Sequence, residues 1–158
     1  MNMKYWLIKS EGDCYSIDDL KKDKVAPWTG VRNFQARNFM RDDMKKGDLI
    51  LYYHSNSEPS GVYGVAKVVG NAHSDDTAFD PNDEHYDPDS IMNQFEGKDP
   101  TWVCVDVSFV EKFKKPVSLE TIKKDKELKK MLVAKTGQRL SVMPVEEKHF
   151  KEILKLAK

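Results

Sequence analysis

Five segments of the chain carry apolar residues in the alternating or continuous patterns typical of β-strands. They are rich in β-branched and aromatic side chains and end at glycine, proline or polar turn residues. The predicted strands are 4–9, 48–54, 62–69, 101–109 continuing to about 113, and 140–144. A loop at 55–61 separates the second and third strands, so we expect these two to form an antiparallel pair. Gly64 predicts a bulge or bend in that pair.

The segments between these strands predict short helices. Ser16 with Asp19 three residues later is a capping box, which favours a short helix at 16–20. The other predicted helices are at about 33–43, at 118–122 with Ser118 as its cap, at 126–131, and at 146–157. The segment 74–100 carries three prolines and predicts a long ordered loop. Together these elements predict one α+β domain over residues 1–158, with a curled, mostly antiparallel sheet of five or six strands and peripheral short helices.

The charge distribution does not alter the predicted fold, but it limits how the protein would bind nucleic acid. The 158 residues include 26 basic and 26 acidic side chains, so the formal net charge is zero. The acidic side chains concentrate in residues 75–100, while the C-terminal third has a basic excess. A domain that grips a polynucleotide by charge alone usually has a high pI. We therefore expect any nucleic-acid binding to be modest and salt-sensitive, with its specificity coming from a pocket.

Hydropathy and cysteine usage favour a protein that stays inside the cell. No apolar run approaches the roughly 18–20 residues of a membrane span. The N-terminal residues have no signal-peptide hydrophobic region. Cys14 and Cys104 are far apart and have no CxxC partner. We expect them to be free thiols in a reducing compartment.

The familiar catalytic and metal motifs are missing from the sequence. It contains no GxSxG, HExxH, Walker or Rossmann glycine pattern. His73 and His85 flank acidic residues that could bind a metal, but acidic loops are more often simply solvated. The neighbouring Lys9 and Ser10 could imitate a Ser–Lys nucleophile couple. Adjacent residues on a strand point to opposite faces, which disfavours that reading. We expect no catalytic residue, no metal and no cofactor.

The stretch from Trp28 to Phe39 is the strongest candidate for binding. It combines an indole with two arginines, two asparagines and a glutamine, which suit recognition of a planar heterocycle and an attached phosphate. Three polar groups stand at strand or loop exits, where side chains converge on a rigid frame. They are Lys9 with Ser10, Trp28 with Asn33, and His54 with Ser55 and Asn56. Such a pocket suits a flipped nucleobase, although Trp28 could equally be a core residue and the asparagines could be caps.

Several segments of the sequence resemble motifs of the EVE-domain family. They are Tyr5-Trp6-Leu7-Ile8-Lys9-Ser10-Glu11, Trp28-Thr29-Gly30-Val31-Arg32-Asn33-Phe34-Gln35-Ala36-Arg37-Asn38-Phe39, Tyr53-His54-Ser55-Asn56, Tyr86-Asp87-Pro88, Trp102 with Val105-Asp106-Val107, and Arg139-Leu140-Ser141-Val142 before Pro144-Val145. They cover essentially the whole chain in the family's order. The resemblance implies a PUA-like fold, a small curved β-barrel related to the YTH readers of methylated adenine. It also implies a non-catalytic reader of a modified base, chiefly modified cytosine in DNA, with modified RNA as a second substrate class.

The resemblance also implies site residues. Lys9, Ser10 and Trp28 match positions that build the base pocket in the YTH relatives. The remaining expected pocket residues are Thr29, Asn33, Ser55 and Asn56. The candidates for contact with the nucleic-acid backbone are Arg32, Gln35, Arg37 and Arg139.

The chain departs from the family pattern at three positions. Gly12 replaces a common proline, Thr29 a common aspartate, and Met143 a common glutamine. Because Thr29 stands beside the expected pocket, we expect it to affect which modification is preferred.

Two other functions stay open at this point. One is a hydrolase or nuclease that acts on modified nucleotides. The other is a protein-interaction module that uses the acidic loop. We expect a monomer without membrane association, in the cytoplasm of a bacterium or the nucleus of a eukaryote, whose partner is nucleic acid with a modified base.

Overall fold

The computed structural model describes residues 3–11, 15–55, 57–90, 101–135 and 140–157. The strands within these ranges are β1 Tyr5–Glu11, β2 Val25–Pro27, β3 Leu49–Ser55, β4 Gly61–Val68, β5 His73–Ser74, β6 Val103–Cys104, β7 Asp106–Ser118 and β8 Val142–Val145. The α-helices are α1 Ile17–Asp23, α2 Phe34–Asn38, α3 Leu119–Lys124 and α4 Glu147–Leu156. Single π- or 3-10 turns occupy Phe39–Asp43, Asp76–Phe79, Leu128–Lys130 and Leu132–Ala134. In the part of the chain described here, no helix is both long and apolar enough to span a bilayer.

Six strands form one mixed sheet in the order β2-β7-β4-β3-β1-β8, which curls into a half-barrel. Among these neighbours only β1 and β3 are parallel, and the others are antiparallel. This confirms the predicted α+β class with a curved, mostly antiparallel sheet of six strands. The parallel pair requires a long crossover between β1 and β3. That crossover contains α1, β2 and α2, and it also carries the Trp28 stretch.

The predicted bend at Gly64 is present. The register between β3 and β4 shifts after Tyr52, and the register between β4 and β7 shifts between Val62 and Gly64. A Cβ atom on Gly64 would lie 2.3 Å from the Glu111 carbonyl oxygen. Only glycine therefore allows β4 and β7 to approach so closely while the sheet curls.

The helix caps follow the sequence rules. Ser16 and Asp19 form the predicted capping box of α1, and the Ser118 hydroxyl caps α3 by accepting from the Thr121 amide. The predicted helix at 33–43 is shorter than expected as an α-helix, because it continues from Phe39 as a π-turn. The predicted C-terminal helix is α4, whose buried face includes Phe150 and Ile153.

The prediction of one strand from 101 to about 113 is wrong in its boundaries. The segment divides at Val105 into two strands. The short β6 pairs with β5, and the long β7 lies in the main sheet between β2 and β4. The Val105 carbonyl accepts from the Trp28 amide at 2.8 Å, directly beyond the pairing of Pro27 in β2 with Asp106 in β7. The strand also runs further than predicted, through Pro116 to Ser118.

Candidate functional site

A cavity of about 570 Å³ opens between the end of β1 and the crossover that follows it. We call it the Trp28 pocket. It is lined by Lys9, Ser10, Tyr15, Asp23, Ala26, Pro27, Trp28, Thr29, Gly30, Val31, Arg32, His85 and Ser141. Its volume lies within the range of small-molecule sites. The structure therefore brings together four predicted pocket residues, Lys9, Ser10, Trp28 and Thr29, with one predicted backbone-contact residue, Arg32.

Trp28 forms a wall of this pocket and also part of the core. Its side chain is only 9% exposed, and its ring meets the buried Tyr52 ring edge-to-face at a centroid distance of 5.4 Å. The Trp28 amide donates to Val105 on the neighbouring chain segment. Trp28 is therefore a core residue that also lines the cavity, and its predicted role as the stacking wall for a base stays a prediction.

Lys9 and Ser10 lie near the end of β1, where they still pair with β3. The Lys9 ammonium lies 5.8 Å from the Tyr53 ring centroid, and burial lowers the pKa of this ammonium. The Ser10 hydroxyl donates to the Tyr15 carbonyl at 2.7 Å. The Lys9 amide donates to the Ser141 carbonyl at 2.9 Å, which fixes the position of Ser141 at the same opening. A cation and hydroxyl groups thus border the indole wall.

Tyr15 and Asp23 are pocket residues that the sequence reasoning missed. The Tyr15 hydroxyl donates to the Asp23 carboxylate at 2.6 Å. Burial, followed by the hydrogen bond to Asp23, raises the pKa of Tyr15. Asp23 is the last residue of α1, so its carboxylate reaches the pocket only because this helix packs against β2 and β7. No local sequence pattern signals that pairing.

A buried carboxylate holds the far side of the pocket together. Asp75 is fully buried, and its Oδ2 accepts from the Gly30 amide at 2.8 Å and from Arg32 Nη1 at 3.0 Å. Its Oδ1 accepts from the Thr77 amide at 3.0 Å and from the Thr77 hydroxyl. Burial alone would raise the pKa of Asp75, but the bonds from Thr77, Gly30 and Arg32 outweigh it and hold the pKa below its usual value.

Arg32, which donates to Asp75, also donates to other residues of the same segment. Its Nε and Nη2 both donate to the His85 carbonyl, at 3.0 and 2.7 Å, and its Nη2 also donates to the Thr77 hydroxyl at 3.1 Å. The guanidinium therefore ties the crossover to the segment that contains Asp75 and His85. This position fits a residue that shapes the pocket, and the predicted contact with a nucleic-acid backbone stays a prediction.

Gly30 permits His85 to close the pocket. Gly30 has φ +84°, and a Cβ atom there would lie 2.7 Å from the His85 ring carbon Cε1. Any larger residue at this position would displace the His85 ring. It would also add the backbone strain of the left-handed conformation. His85 is a lining residue that the sequence reasoning considered only as a metal ligand.

Several other predicted residues lie outside the lining set. The Asn33 side chain accepts from the Ala36 amide at 3.0 Å and so caps α2. The Ser55 hydroxyl donates to the Ser10 carbonyl at 3.4 Å. Gln35 is exposed on α2. Asn56 and Arg139 fall outside the described residues, so their predicted roles stay predictions.

Arg37 and His54 have well-defined partners. Arg37 donates to the Thr101 carbonyl at 3.0 Å and to the Asn38 side chain at 2.8 and 3.1 Å. His54 is buried, and its Nε2 accepts from the Ile17 amide at 3.1 Å. Burial lowers the pKa of His54, which fits a neutral ring that anchors α1.

The acidic segment is organised by local hydrogen bonds. The Asp87 carboxylate accepts from Trp102 Nε1 at 2.6 Å, and the Asp83 carboxylate accepts from the His85 amide at 2.8 Å. His73 lies 3.0 Å from an Asp106 oxygen and 3.6 Å from the Cys104 sulfur. Across the described ranges, no group of three or more histidine, cysteine, aspartate or glutamate side chains is arranged to hold a metal ion.

Known proteins are similar to this chain in sequence and in fold. The family model of the EVE domain matches residues 4–156. Thymocyte nuclear protein 1 of Mus musculus is 40% identical over 96% of this chain and 73% of its own length. A crystal structure of a Pseudomonas syringae protein has a TM-score of 0.90 at 39% identity, covering 98% of this chain and 99% of that one. The crystal structure of human THYN1 protein in complex with 5-methylcytosine-containing DNA has a TM-score of 0.87 at 37% identity, covering 98% of both chains. With matches of this extent, the chain belongs to the EVE domain family.

Proposed function

We propose that this domain binds DNA that carries a modified cytosine and holds the modified base, flipped out of the helix, in the Trp28 pocket. The observation that carries the proposal is the pocket itself, in which an indole wall adjoins a lysine, hydroxyl groups and a carboxylate. The human relative whose structure contains 5-methylcytosine DNA has the same fold over 98% of this chain.

The chemistry of the lining supports a pyrimidine ligand. An aromatic wall offers a stacking surface that any base can use, worth ~1–3 kcal/mol per base. Specificity must then come from the polar groups. The Asp23 carboxylate can accept from an exocyclic amine, and Lys9 can donate to a carbonyl oxygen, which are the groups that cytosine presents at its edge. Thymine lacks the amine and would offer the Asp23 carboxylate no donor beyond the Tyr15 hydroxyl.

The proposed activity is recognition without a chemical step. In the pocket, the Lys9 and Ser10 side chains serve binding, and Tyr15 and Asp23 are engaged with each other at 2.6 Å. A hydrolase or nuclease on the same fold is the alternative. It predicts product formation and dependence on a divalent metal.

The test is a titration of the protein with matched DNA duplexes that carry cytosine, 5-methylcytosine or 5-hydroxymethylcytosine, at low and moderate salt. An RNA with methylated adenine provides the comparison for RNA. We expect a preference of tenfold or more for one modified cytosine. Equal, weak and salt-labile binding to all probes would overturn the proposal, and release of a product would favour the enzyme alternative.

Trp28→Phe is the matched variant for this titration. Phenylalanine retains an aromatic packing partner for Tyr52, whereas alanine would open a cavity costing ~3–5 kcal/mol of stability. We expect Trp28→Phe to remain folded by circular dichroism and to lose affinity for the preferred duplex. Because a phenyl ring can still stack on a base, unchanged affinity would show only that the larger indole face is not needed.

A further inference from the structure

An exposed aromatic side chain stands next to the Trp28 pocket. Phe34, at the start of α2, is 59% exposed, the highest exposed fraction among the large hydrophobic side chains of the described residues. One face of its ring is stacked on Trp102, with a centroid distance of 4.9 Å and an interplanar angle of 23°. Exposing a phenyl ring to water costs free energy, so a ring held rigid in this position is a candidate contact surface.

The neighbouring Arg37 side chain lies against Phe34 and still leaves this residue 59% exposed. The Arg37 guanidinium carbon is 4.8 Å from the Phe34 centroid and 6.0 Å from the Trp102 centroid. Because the two rings are 4.9 Å apart, these three groups form a triangle, with the guanidinium beside the stack and not beyond Phe34. We call this surface the Phe34 platform and define it as Phe34, Trp102 and Arg37. It combines a flat apolar face with a positive edge.

The platform is held in place by contacts below it. Trp102 is 8% exposed, and its Nε1 donates to the Asp87 carboxylate at 2.6 Å. Arg37 donates to the Thr101 carbonyl at 3.0 Å. The rings are therefore pre-ordered, and a ligand that stacks on Phe34 would lose little affinity to the immobilisation of side chains.

The platform is continuous with the Trp28 pocket. Arg32 lines the pocket, and its guanidinium carbon is 5.3 Å from the Trp102 centroid. Two contacts, of 5.3 and 4.9 Å, thus lead from the pocket rim to Phe34. Bases stack at about 3.4 Å per nucleotide along one strand, so this span corresponds to a few nucleotides at most.

We propose that the outer face of Phe34 stacks on a nucleobase one to three nucleotides from the base in the Trp28 pocket. Flipping a base out of a duplex exposes the faces of its neighbours, and an aromatic side chain can cover such a face. The positive edge at Arg37 favours the same polyanionic ligand. This inference rests on the proposed function, since it takes the base in the pocket as its reference point.

The stack predicts that recognition extends beyond the modified base but is tolerant of sequence. Every base has a π face, so Phe34 supplies affinity and does not select among the four bases. It also predicts that Phe34 affects binding to modified and unmodified DNA by the same factor. Residues that touch the modification itself would instead change the ratio of the two affinities.

The test combines variants of Phe34 with abasic substitutions in the DNA. Duplexes with the preferred modified cytosine carry an abasic site at each of the three nucleotides on either side, one at a time. We expect one of these positions to reduce wild-type affinity by about fivefold or more. Phe34→Ala should lose the same factor on intact DNA and should be insensitive to the abasic site at that position.

Two further variants separate stacking from other effects. Phe34→Leu keeps apolar bulk but has no flat face, so it should behave like Phe34→Ala, whereas Phe34→Trp should retain wild-type affinity. Val110→Ala removes another exposed hydrophobic side chain, 46% exposed on β7, and should change nothing. Full affinity in Phe34→Leu, or equal sensitivity of wild type and Phe34→Ala to every abasic site, would overturn the inference.

The outcome also distinguishes this inference from the proposed function. If wild type prefers a modified cytosine but Phe34→Ala binds as tightly as wild type, the platform inference fails and the reader function stands. If wild type shows no preference but affinity still depends jointly on Phe34 and one nucleotide, the platform is supported and the reader function fails. Absence of DNA binding by wild type would overturn both.

Discussion

The Arg32 guanidinium and the Asp75 carboxylate form an ion pair of 3.0 Å that joins the Trp28 stretch to the acidic segment. The carboxylate is completely buried, while the Arg32 side chain is 22% exposed. The same Asp75 oxygen also accepts from the Gly30 amide. One carboxylate thus binds the backbone before Val31 and the side chain after it, and the shape of the pocket depends on it.

Asp75→Asn should destabilise the fold. The new NH2 group would face N–H or O–H donors that now bind a carboxylate oxygen, so donor would meet donor. Arg32 would also lose its counter-charge. We expect a loss of about 3 kcal/mol, at the low end for breaking a buried pair because Arg32 is partly hydrated. Chemical denaturation would measure it. The matched control is Asp42→Asn, which breaks the exposed pair of Arg41 and Asp42 and should leave stability unchanged.

Acid should weaken the fold through the same carboxylate. The folded-state pKa of Asp75 is lowered, so in the unfolded chain this group binds a proton at a higher pH, near ~3.9. Its contribution is therefore complete above about pH 4 and is lost as the pH falls through the folded-state pKa. Urea titrations between pH 7 and pH 3 should show a steeper loss for wild type than for Asp75→Asn. Parallel curves would contradict this assignment.

Gly30→Ala should cost more than Gly47→Ala, although both glycines have positive φ. A Cβ on Gly47 would meet nothing within 4 Å, whereas one on Gly30 would press on the His85 ring. Backbone strain of ~1–2 kcal/mol applies to both, and only Gly30→Ala adds the clash. Thermal unfolding would give the difference. Adding His85→Ala should recover part of the loss at Gly30 and none at Gly47, and equal losses at the two glycines would show that the clash is relieved.

Cys104 should be nearly inert in the folded protein. Its side chain is buried, and burial followed by the nearby Asp75, Asp106 and Asp76 carboxylates raises the pKa of the thiol to about 12. The thiolate is the reactive form, so native protein at pH 8 should react far more slowly than unfolded protein. A Cys14→Ser variant treated with a chromogenic disulfide reagent isolates this thiol. Reaction of the native protein at the rate of a free thiol would contradict the prediction.

Thr29→Asp should lower the affinity of the pocket for DNA. Thr29 is exposed and lines the pocket, and aspartate is the residue that the family pattern commonly has there. A carboxylate near DNA phosphates should lower affinity several-fold at low salt. Thr29→Asn has the same shape without the charge and serves as the control. If the two variants bind the three duplexes identically, charge at this position has no role in recognition.

The features that sequence predicted well depend on neighbours in the chain. The capping box at Ser16 and Asp19 is a local interaction and could be read directly from the sequence. The residue type of Gly64 also indicated a bend, although the close approach of β7 that requires it is not local. Lys9, Ser10, Trp28 and Thr29 were placed in the pocket by resemblance to the EVE family, and the structure brings all four to one cavity.

The features that were missed depend on contacts between distant segments. Asp75 lies 45 positions from Gly30, and only the folded chain shows that its carboxylate accepts from the Gly30 amide. The division of the strand at Val105 also depends on distant segments, because β6 pairs with β5 whereas β7 pairs with β2 and β4. The role of Asn33 as a cap was one of the two readings that the residue type allowed.

The parallel pairing of β1 with β3 has a consequence for how the molecule assembles. Much of the pocket wall lies in the crossover between these strands, and the opposite wall comes from His85 and Ser141, which are far along the chain. The cavity cannot form before these non-local contacts close, which is the slow part of folding for such topologies. We therefore expect the backbone amide hydrogens around the pocket to exchange with solvent when the six-stranded sheet opens. A ligand that fills the cavity should then slow exchange across that sheet and not only at its own contacts.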